Sequence, residues 1–239
     1  MLKVHEIFKS IQGEGIDIGM PMVFVRFAGC NLACKWCDTQ YANKEESEFS
    51  EMEVSPIVKK IEELGTVTGV TFTGGEPFVQ KTEEIDALIF ELKGKGYFIN
   101  IETNGLVLPQ LAYGNLVDRF SISPKLSSSG NKLGINKSTL ETYLMYYPHK
   151  VFFKFVISNK DDFSEMEVLL DSIPVVKEKS IRIVIQPNID DESVLSIEKQ
   201  NEYFLETMDL LLVSGLTDTY NIRIIPQFHK YLWADKKGV

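Results

Sequence analysis

The sequence predicts an α/β fold, with a mainly parallel sheet of about six strands and flanking helices in one domain spanning residues 1–239. Three observations point there. Short runs rich in Val, Ile and Phe alternate with longer amphipathic stretches. No low-complexity tract, long linker or internal repeat interrupts them. Finally, the runs end in Gly, Asn, Pro and charged residues, as strands leading into ligand-binding loops do.

Taken in order, the strand candidates are 22–28, 69–73, 98–102, 119–123, 151–157, 181–186 and 221–225. Each is short and β-branched or aromatic, as strands buried on both faces tend to be. Helix candidates lie between them. The first, 55–64, takes Ser55 as its N-cap, has Pro56 in the first turn and stops at Gly65. Residues 83–93 end before Gly94, and 161–172 open with Asp161 and end before Pro174. A long helix is expected over 193–213, ahead of Gly215, and a weaker one over 137–147. Right-handed βαβ crossovers then give a parallel sheet. Six or seven units are too few for a closed eight-fold barrel, so a partial (β/α) barrel and a doubly wound open sheet both fit. In either, ligands bind at the C-terminal strand ends.

The composition bounds the function. The formal net charge is −9, which argues against non-specific nucleic-acid binding and serves solubility. No run of about 18 apolar residues is present, so no membrane helix is expected. Residues 1–15 lack an apolar signal-peptide core, so the expected location is cytoplasmic. The three cysteines all fall between positions 30 and 37. An odd, clustered set in a reducing compartment suits metal binding better than a disulfide framework.

The segment Phe24-Val-Arg-Phe-Ala-Gly-Cys30-Asn-Leu-Ala-Cys34-Lys-Trp-Cys37-Asp38-Thr39 follows directly on the first strong strand candidate. Three thiolates spaced C-x3-C-x2-C on one tight loop can each bind a different iron of a cubane. With no fourth cysteine, one iron stays open for an outside ligand. A structural zinc loop and three buried structural cysteines are the alternatives. Zinc asks for four ligands, and His5, His149 and His229 form no pair along the sequence.

These residues closely resemble the signature of the radical S-adenosylmethionine (SAM) superfamily. Thr73-Gly-Gly-Glu76-Pro77 and Glu102-Thr-Asn104-Gly105 follow in the order that superfamily shows. The resemblance implies a partial barrel of the radical SAM type, a [4Fe–4S] cluster on Cys30, Cys34 and Cys37, and SAM chelating the open iron. It assigns SAM contacts to Trp36, Cys37 and Asp38 beside the cluster, and to Gly75, Glu76 and Asn104 at the next two strand ends. Further contacts are implied at Ser123, Pro124 and Lys125, and at Gln186, Pro187 and Asn188.

A narrower resemblance is to the 7-carboxy-7-deazaguanine synthase family. It rests on Glu6-Ile-Phe-Lys-Ser-Ile11-Gln12-Gly13-Glu14-Gly15, Arg26-Phe-Ala-Gly-Cys30-Asn-Leu32, Cys37-Asp-Thr39, Ser123-Pro-Lys125, Gln186-Pro187 and Pro226-Gln-Phe-His229-Lys-Tyr-Leu-Trp233, and spans essentially the whole chain. Some members carry a long insertion between the first two cluster cysteines; this chain has the short spacing, and a short acidic stretch between Tyr41 and Ser50. The resemblance implies radical ring contraction of 6-carboxy-5,6,7,8-tetrahydropterin with loss of ammonia, assisted by Mg²⁺ at Thr39. It also implies an electron donor such as flavodoxin or ferredoxin, and a homodimer. Ile11, Gln12, Gly13, Glu14, Arg26, Thr73 and His229 are the implied substrate residues.

Several of these have a reading of their own. Thr39 offers a hard oxygen that suits Mg²⁺. Arg26, on an otherwise apolar strand, needs an anion; the substrate carboxylate is preferred over a core carboxylate as its partner. Asp38 could hold a water on the metal or simply cap a turn. His229 is expected to end the last strand. Lys125 is a SAM contact or a solvated surface lysine. The tail 235–239 is expected to fold over the site. A glycyl-radical enzyme activase, which docks a protein loop in place of a pterin, is the enzyme alternative. A non-catalytic zinc protein is the other.

Overall fold

The computed structural model describes residues 1–43, 48–189 and 196–233. The stretch after Asn43, the expected start of the long helix at 193 and the tail at 235–239 fall outside those residues in whole or in part.

Among the described residues nine strands form one sheet: β1 (Leu2–Ile11), β2 (Pro21–Phe27), β3 (Ser50–Met52), β4 (Gly69–Gly74), β5 (Phe98–Thr103), β6 (Arg119–Ile122), β7 (Val151–Ile157), β8 (Arg182–Pro187) and β9 (Ile222–Ile224). The order across the sheet is β3-β1-β2-β4-β5-β6-β7-β8-β9. From β2 to β9 every neighbouring pair is parallel, which makes seven parallel strands. β1 runs antiparallel to β2, and β3 antiparallel to β1.

This order decides between the two architectures left open by the sequence. In a doubly wound sheet the strand order reverses at a central strand. Here it advances in one direction only, so right-handed crossovers place their helices on one face. The other face becomes the lumen of an unclosed (β/α) barrel.

The seven sequence-predicted strands are all present. β2, β7 and β8 bury apolar residues on both faces as expected, with Met22, Phe24, Phe152, Val156 and Val184 on the lumen side, while the other strands do so on one face only. Val70, Phe72, Ile99, Ile101, Phe120, Ile122, Phe153, Phe155, Ile183 and Ile185 belong to one buried core under the helices. Between them stand Thr71, Thr73, Asn100, Glu102, Ser121, Lys154 and Gln186, whose alternate positions face the lumen. Strand period two therefore separates a dry helix-side core from a lumen face that carries the polar residues of the sheet.

β1 and β3 are not anticipated from the sequence. β1 carries Lys3, Glu6 and Lys9 among its apolar residues, and Leu2 and Val4 are buried in the core with Ile7 packed against it. The helices fall close to their expected positions: Val54–Glu63, Thr82–Gly94, Lys137–Tyr146, Lys160–Asp171 and Ile197–Ser214. Their caps differ. Glu53, not Ser55, precedes the first and makes no side-chain cap bond. Asn159 caps the fourth in a capping box with Asp162, two residues before the expected Asp161. His229 is not at a strand end: β9 stops at Ile224 and His229 lies in a short helix, Phe228–Trp233.

Candidate active site

The C-terminal ends of β2, β4, β5, β6 and β8 all open onto one edge, and the sequence motifs meet there. The cysteine loop leaves β2. Its thiols are free and partly buried. Burial pushes the Cys30 thiol up to about 11, and the charges of Glu76, Cys34 and Cys37 push the same way. Crowded thiols of this kind suit a cationic iron cluster, which relieves the repulsion between thiolates. Amide donors already face two of the sulfurs: Asn131 Nδ2 lies 3.1 Å from Cys34 Sγ, and Asn43 Nδ2 3.3 Å from Cys37 Sγ. The donor set fits the cluster.

The loop after β4 packs directly on the cysteine loop. Gly75 N–H donates to Phe27 O at 3.0 Å, and Glu76 N–H to Gly29 O at 2.9 Å. A Cβ on Gly75 would stand 1.7 Å from Gly29 O, so only glycine lets the two backbones meet. The fully buried Glu76 carboxylate accepts from Thr103 Oγ1 (2.8 Å), from Asn104 N–H (2.7 Å) and from Phe78 N–H (3.2 Å). Burial raises its pKa, and these donors oppose the rise. Asn104 Nδ2 reaches back to Asn31 Oδ1 at 2.7 Å, so three strand-end loops are locked together around the cysteines.

The remaining residues implied as SAM contacts gather on the same edge. Lys125 Nζ donates to Ser123 Oγ at 2.9 Å and lies 5.4 Å from the Trp36 ring centroid. It is no solvated surface lysine, since burial, together with Lys154, lowers its pKa. Pro124 and Pro187 are buried. Gln186 Nε2 donates to Pro226 O at 3.3 Å, while its buried Oε1 has no partner among the described residues. Asn188 is turned toward Ser158 Oγ, 3.0 Å away.

The lumen holds the second group. Gln12 Nε2 donates to Glu102 Oε1 at 3.0 Å, and Thr73 Oγ1 to Glu102 Oε2 at 2.6 Å. Glu14 pairs with Lys154, accepts from Gln227 Nε2 at 3.2 Å and has His229 Nδ1 at 3.6 Å. Burial pushes the Glu14 carboxyl up. Lys154 and His229 more than reverse this and leave it at about 2. Gly13 O accepts from Phe228 N–H at 3.0 Å, and a Cβ on Gly13 would sit 3.0 Å from His229 Cβ, so this glycine admits the C-terminal helix. Ile11 closes β1 opposite Pro21. Ligand atoms of Glu14, Asp38 and His229 lie within 4.8 Å of one another, although Lys154 already neutralises Glu14. Thr39 Oγ1 sits 3.4 Å from both Cys37 Sγ and Gly74 O.

Arg26 also meets an anion within the protein. Arg26 has a protein carboxylate as its partner, Glu6 on β1, with Nε to Oε1 at 2.6 Å. Its guanidinium also lies 5.6 Å from the Phe8 ring centroid and 5.8 Å from that of Tyr41. β1, missed in the sequence, supplies the anion through its antiparallel pairing, in which Glu6 stands opposite Arg26. Glu6, Glu102, Lys154, Gln227 and Asn131 were not singled out by the sequence. For Lys154 a signal existed: it is the one non-apolar residue in Val151–Ile157, as Arg26 is in its own strand.

The radical SAM superfamily model matches residues 24–144, from β2 through the cysteine loop to the fifth-strand motifs and beyond. Among curated relatives, the 7-carboxy-7-deazaguanine synthase of Pyrobaculum aerophilum is 33% identical over 99% of this chain and 97% of its own length. That of Thermoplasma acidophilum is 34% identical over 99% of both chains. The chain belongs to the 7-carboxy-7-deazaguanine synthase family. Like other members of that family it is a radical SAM enzyme of the lyase type, which implies the [4Fe–4S] cluster and SAM and sets aside the zinc loop. Among solved structures, QueE from Escherichia coli superposes with a TM-score of 0.67 at 21% identity, covering 94% of this chain and 93% of that one. The Streptococcus suis SuiB structure bound to precursor peptide SuiA matches at 13% identity and a TM-score of 0.57, over 50% of its length. Those two likenesses concern the fold. Within the described residues no helix is long and apolar enough to cross a membrane.

Proposed function

We propose that this family member converts 6-carboxy-5,6,7,8-tetrahydropterin to 7-carboxy-7-deazaguanine, losing one ring nitrogen as ammonia. The supporting observation is the whole-length similarity to synthases of that name, which the glycyl-radical activase reading does not account for. Cys30, Cys34 and Cys37 would hold the cluster, which together with bound SAM would supply radical hydrogen-abstraction chemistry at C6 of the pterin.

The chain's own residues bind and orient. Glu102 is the carboxylate suited to the 2-amino-4-oxo edge of the pterin, because two neighbouring N–H groups match its two oxygens. Gln12 and Thr73 hold it in place. Glu14, taken up by Lys154, is the less suitable reader. Arg26 binds the substrate carboxylate with the part of its fork not used by Glu6. Thr39 and Asp38 offer oxygen ligands for Mg²⁺, and His229 closes the pterin side. Trp36, Ser123, Lys125, Asn104 and the Gln186–Asn188 segment surround SAM. A flavodoxin- or ferredoxin-type protein delivers the electron, in the cytoplasm, to a homodimer.

Substitution Glu102→Gln keeps the shape and removes the charge. It is expected to weaken pterin binding by about 10- to 100-fold, since hydrogen bonds to a charged group are worth about 1.5–3 kcal/mol. Reductive SAM cleavage without pterin should persist. Anaerobic titration of the loaded enzyme with the pterin measures this, and an unchanged affinity removes Glu102 from the site.

A further inference from the structure

The residues that touch the cysteine sulfurs carry an inference that does not depend on the identity of the substrate. Asn131 lies in the loop that follows β6, nearly a hundred residues from the cysteines, yet its side chain makes two contacts in the cysteine loop and one in its own. Its Oδ1 accepts from Ala33 N–H at 3.0 Å, inside the cysteine loop. Its Nδ2 donates to Ser129 Oγ at 3.1 Å and to Cys34 Sγ at 3.1 Å. The same loop holds the cysteine segment a second time, through Lys35 N–H to Ser129 O at 2.9 Å. Across the cysteines, Asn43 Nδ2 donates to Cys37 Sγ at 3.3 Å. Cys30, by contrast, has a backbone hydrogen bond from Leu32, and its side-chain partner is Asn31 Oδ1, 3.9 Å away with the thiol as donor; cluster ligation removes that proton. Two of the three ligating sulfurs therefore receive an uncharged amide N–H, and the third receives none from a side chain among the described residues.

We propose that Asn131, with Asn43 as its counterpart, is a positioning residue that sets the reduction potential of the cluster as well as the shape of its loop. When the [4Fe–4S]²⁺ state accepts one electron, the added negative charge spreads onto the sulfurs. An amide N–H aimed at a sulfur stabilises that charge more in the reduced state than in the oxidised one, so it raises the potential. The pattern makes Cys34 and Cys37 the sulfurs on which the protein favours the electron. Asparagine suits the position because one planar group supplies both the acceptor for the loop and the donor for the sulfur.

Asn131→Asp and Asn131→Leu separate the two roles. Aspartate keeps the acceptor for Ala33 N–H and loses the donor, and leucine loses both. Both variants are to be reconstituted without oxygen, brought to the same iron and sulfide content as the parent, and titrated with dithionite under EPR detection. In each, the midpoint is expected to move to more negative potential. The reduced-to-oxidised ratio at a fixed potential should fall about threefold for leucine, about 28 mV at 59 mV per tenfold, and further for aspartate, which adds a negative charge. Fully loaded variants with the parent's midpoint overturn the proposal. A second measurement needs no variant: in the reduced parent enzyme carrying ¹⁵N in its asparagine side-chain amides, pulsed EPR should show nitrogen coupled to the cluster. A spectrum without that coupling also overturns it.

Discussion

Replacing Cys30 by alanine is expected to abolish cluster assembly and to reduce 5′-deoxyadenosine formation to background. Cys30 is one of only three cysteines in the chain, so no spare thiolate can substitute. The surrounding architecture is built for three. Glu76 N–H is bonded to Gly29 O immediately before Cys30, and Asn31 after it is held by Asn104. The loop is thus fixed independently of the thiol, and the alanine variant should fold while failing to bind iron. Iron and sulfide analysis together with circular dichroism checks both halves of that statement. A variant that retains a full cluster and cleaves SAM contradicts the assignment of Cys30 as a ligand.

Lys154→Met is expected to destabilise the chain by about 3–5 kcal/mol, the usual cost of removing one partner of a buried ion pair. Glu14 and Lys154 are both largely buried in the lumen. With Lys154 present the Glu14 carboxyl sits at about 2, below its ordinary value of 4.5. Its contribution to stability is therefore complete above about pH 4.5 and is lost as pH falls towards 2. Without Lys154 the burial remains and the main opposing charge is gone, so the carboxyl moves up instead. The folded variant then holds a proton more tightly than the unfolded chain, and its stability rises as pH falls through that raised value. Urea unfolding of parent and variant at pH 8 and pH 5 reads the difference directly. The gap should be widest at pH 8 and narrow at pH 5, and an equal gap at both contradicts the pairing.

The contrast between these two residues shows what the sequence made legible. The cysteine loop, the Gly-Gly-Glu-Pro turn and the Gln-Gly-Glu run are contiguous motifs, whose chemistry is written in neighbouring letters. All seven parallel strands were visible for a similar reason, since Val, Ile and Phe cluster where the helix-side core lies. The pairs that shape the lumen were not visible. Glu14 and Lys154 are 140 residues apart, and Gln12 and Glu102 are 90; only the closing of the sheet brings them together. The pairing of Arg26 with Glu6 was not visible because β1 does not read as a strand. Charged and polar residues interrupt it, and its two fully buried core residues are both at its start. The choice of a partial barrel over a doubly wound sheet could not be made from strand counts, because both use the same units. Strand order alone separates them. The period-two alternation of Thr71 and Thr73, Asn100 and Glu102, and Lys154 was present in the letters, and marks the lumen face once the strands are known.

The most direct test of the assigned chemistry is a turnover experiment. The protein is purified without oxygen, its cluster reconstituted, and dithionite, SAM, Mg²⁺ and 6-carboxy-5,6,7,8-tetrahydropterin added, with mass spectrometry of the products. The account predicts 7-carboxy-7-deazaguanine that depends on both SAM and the cluster. Formation of 5′-deoxyadenosine with the pterin left intact, in a protein carrying a full cluster, would contradict it.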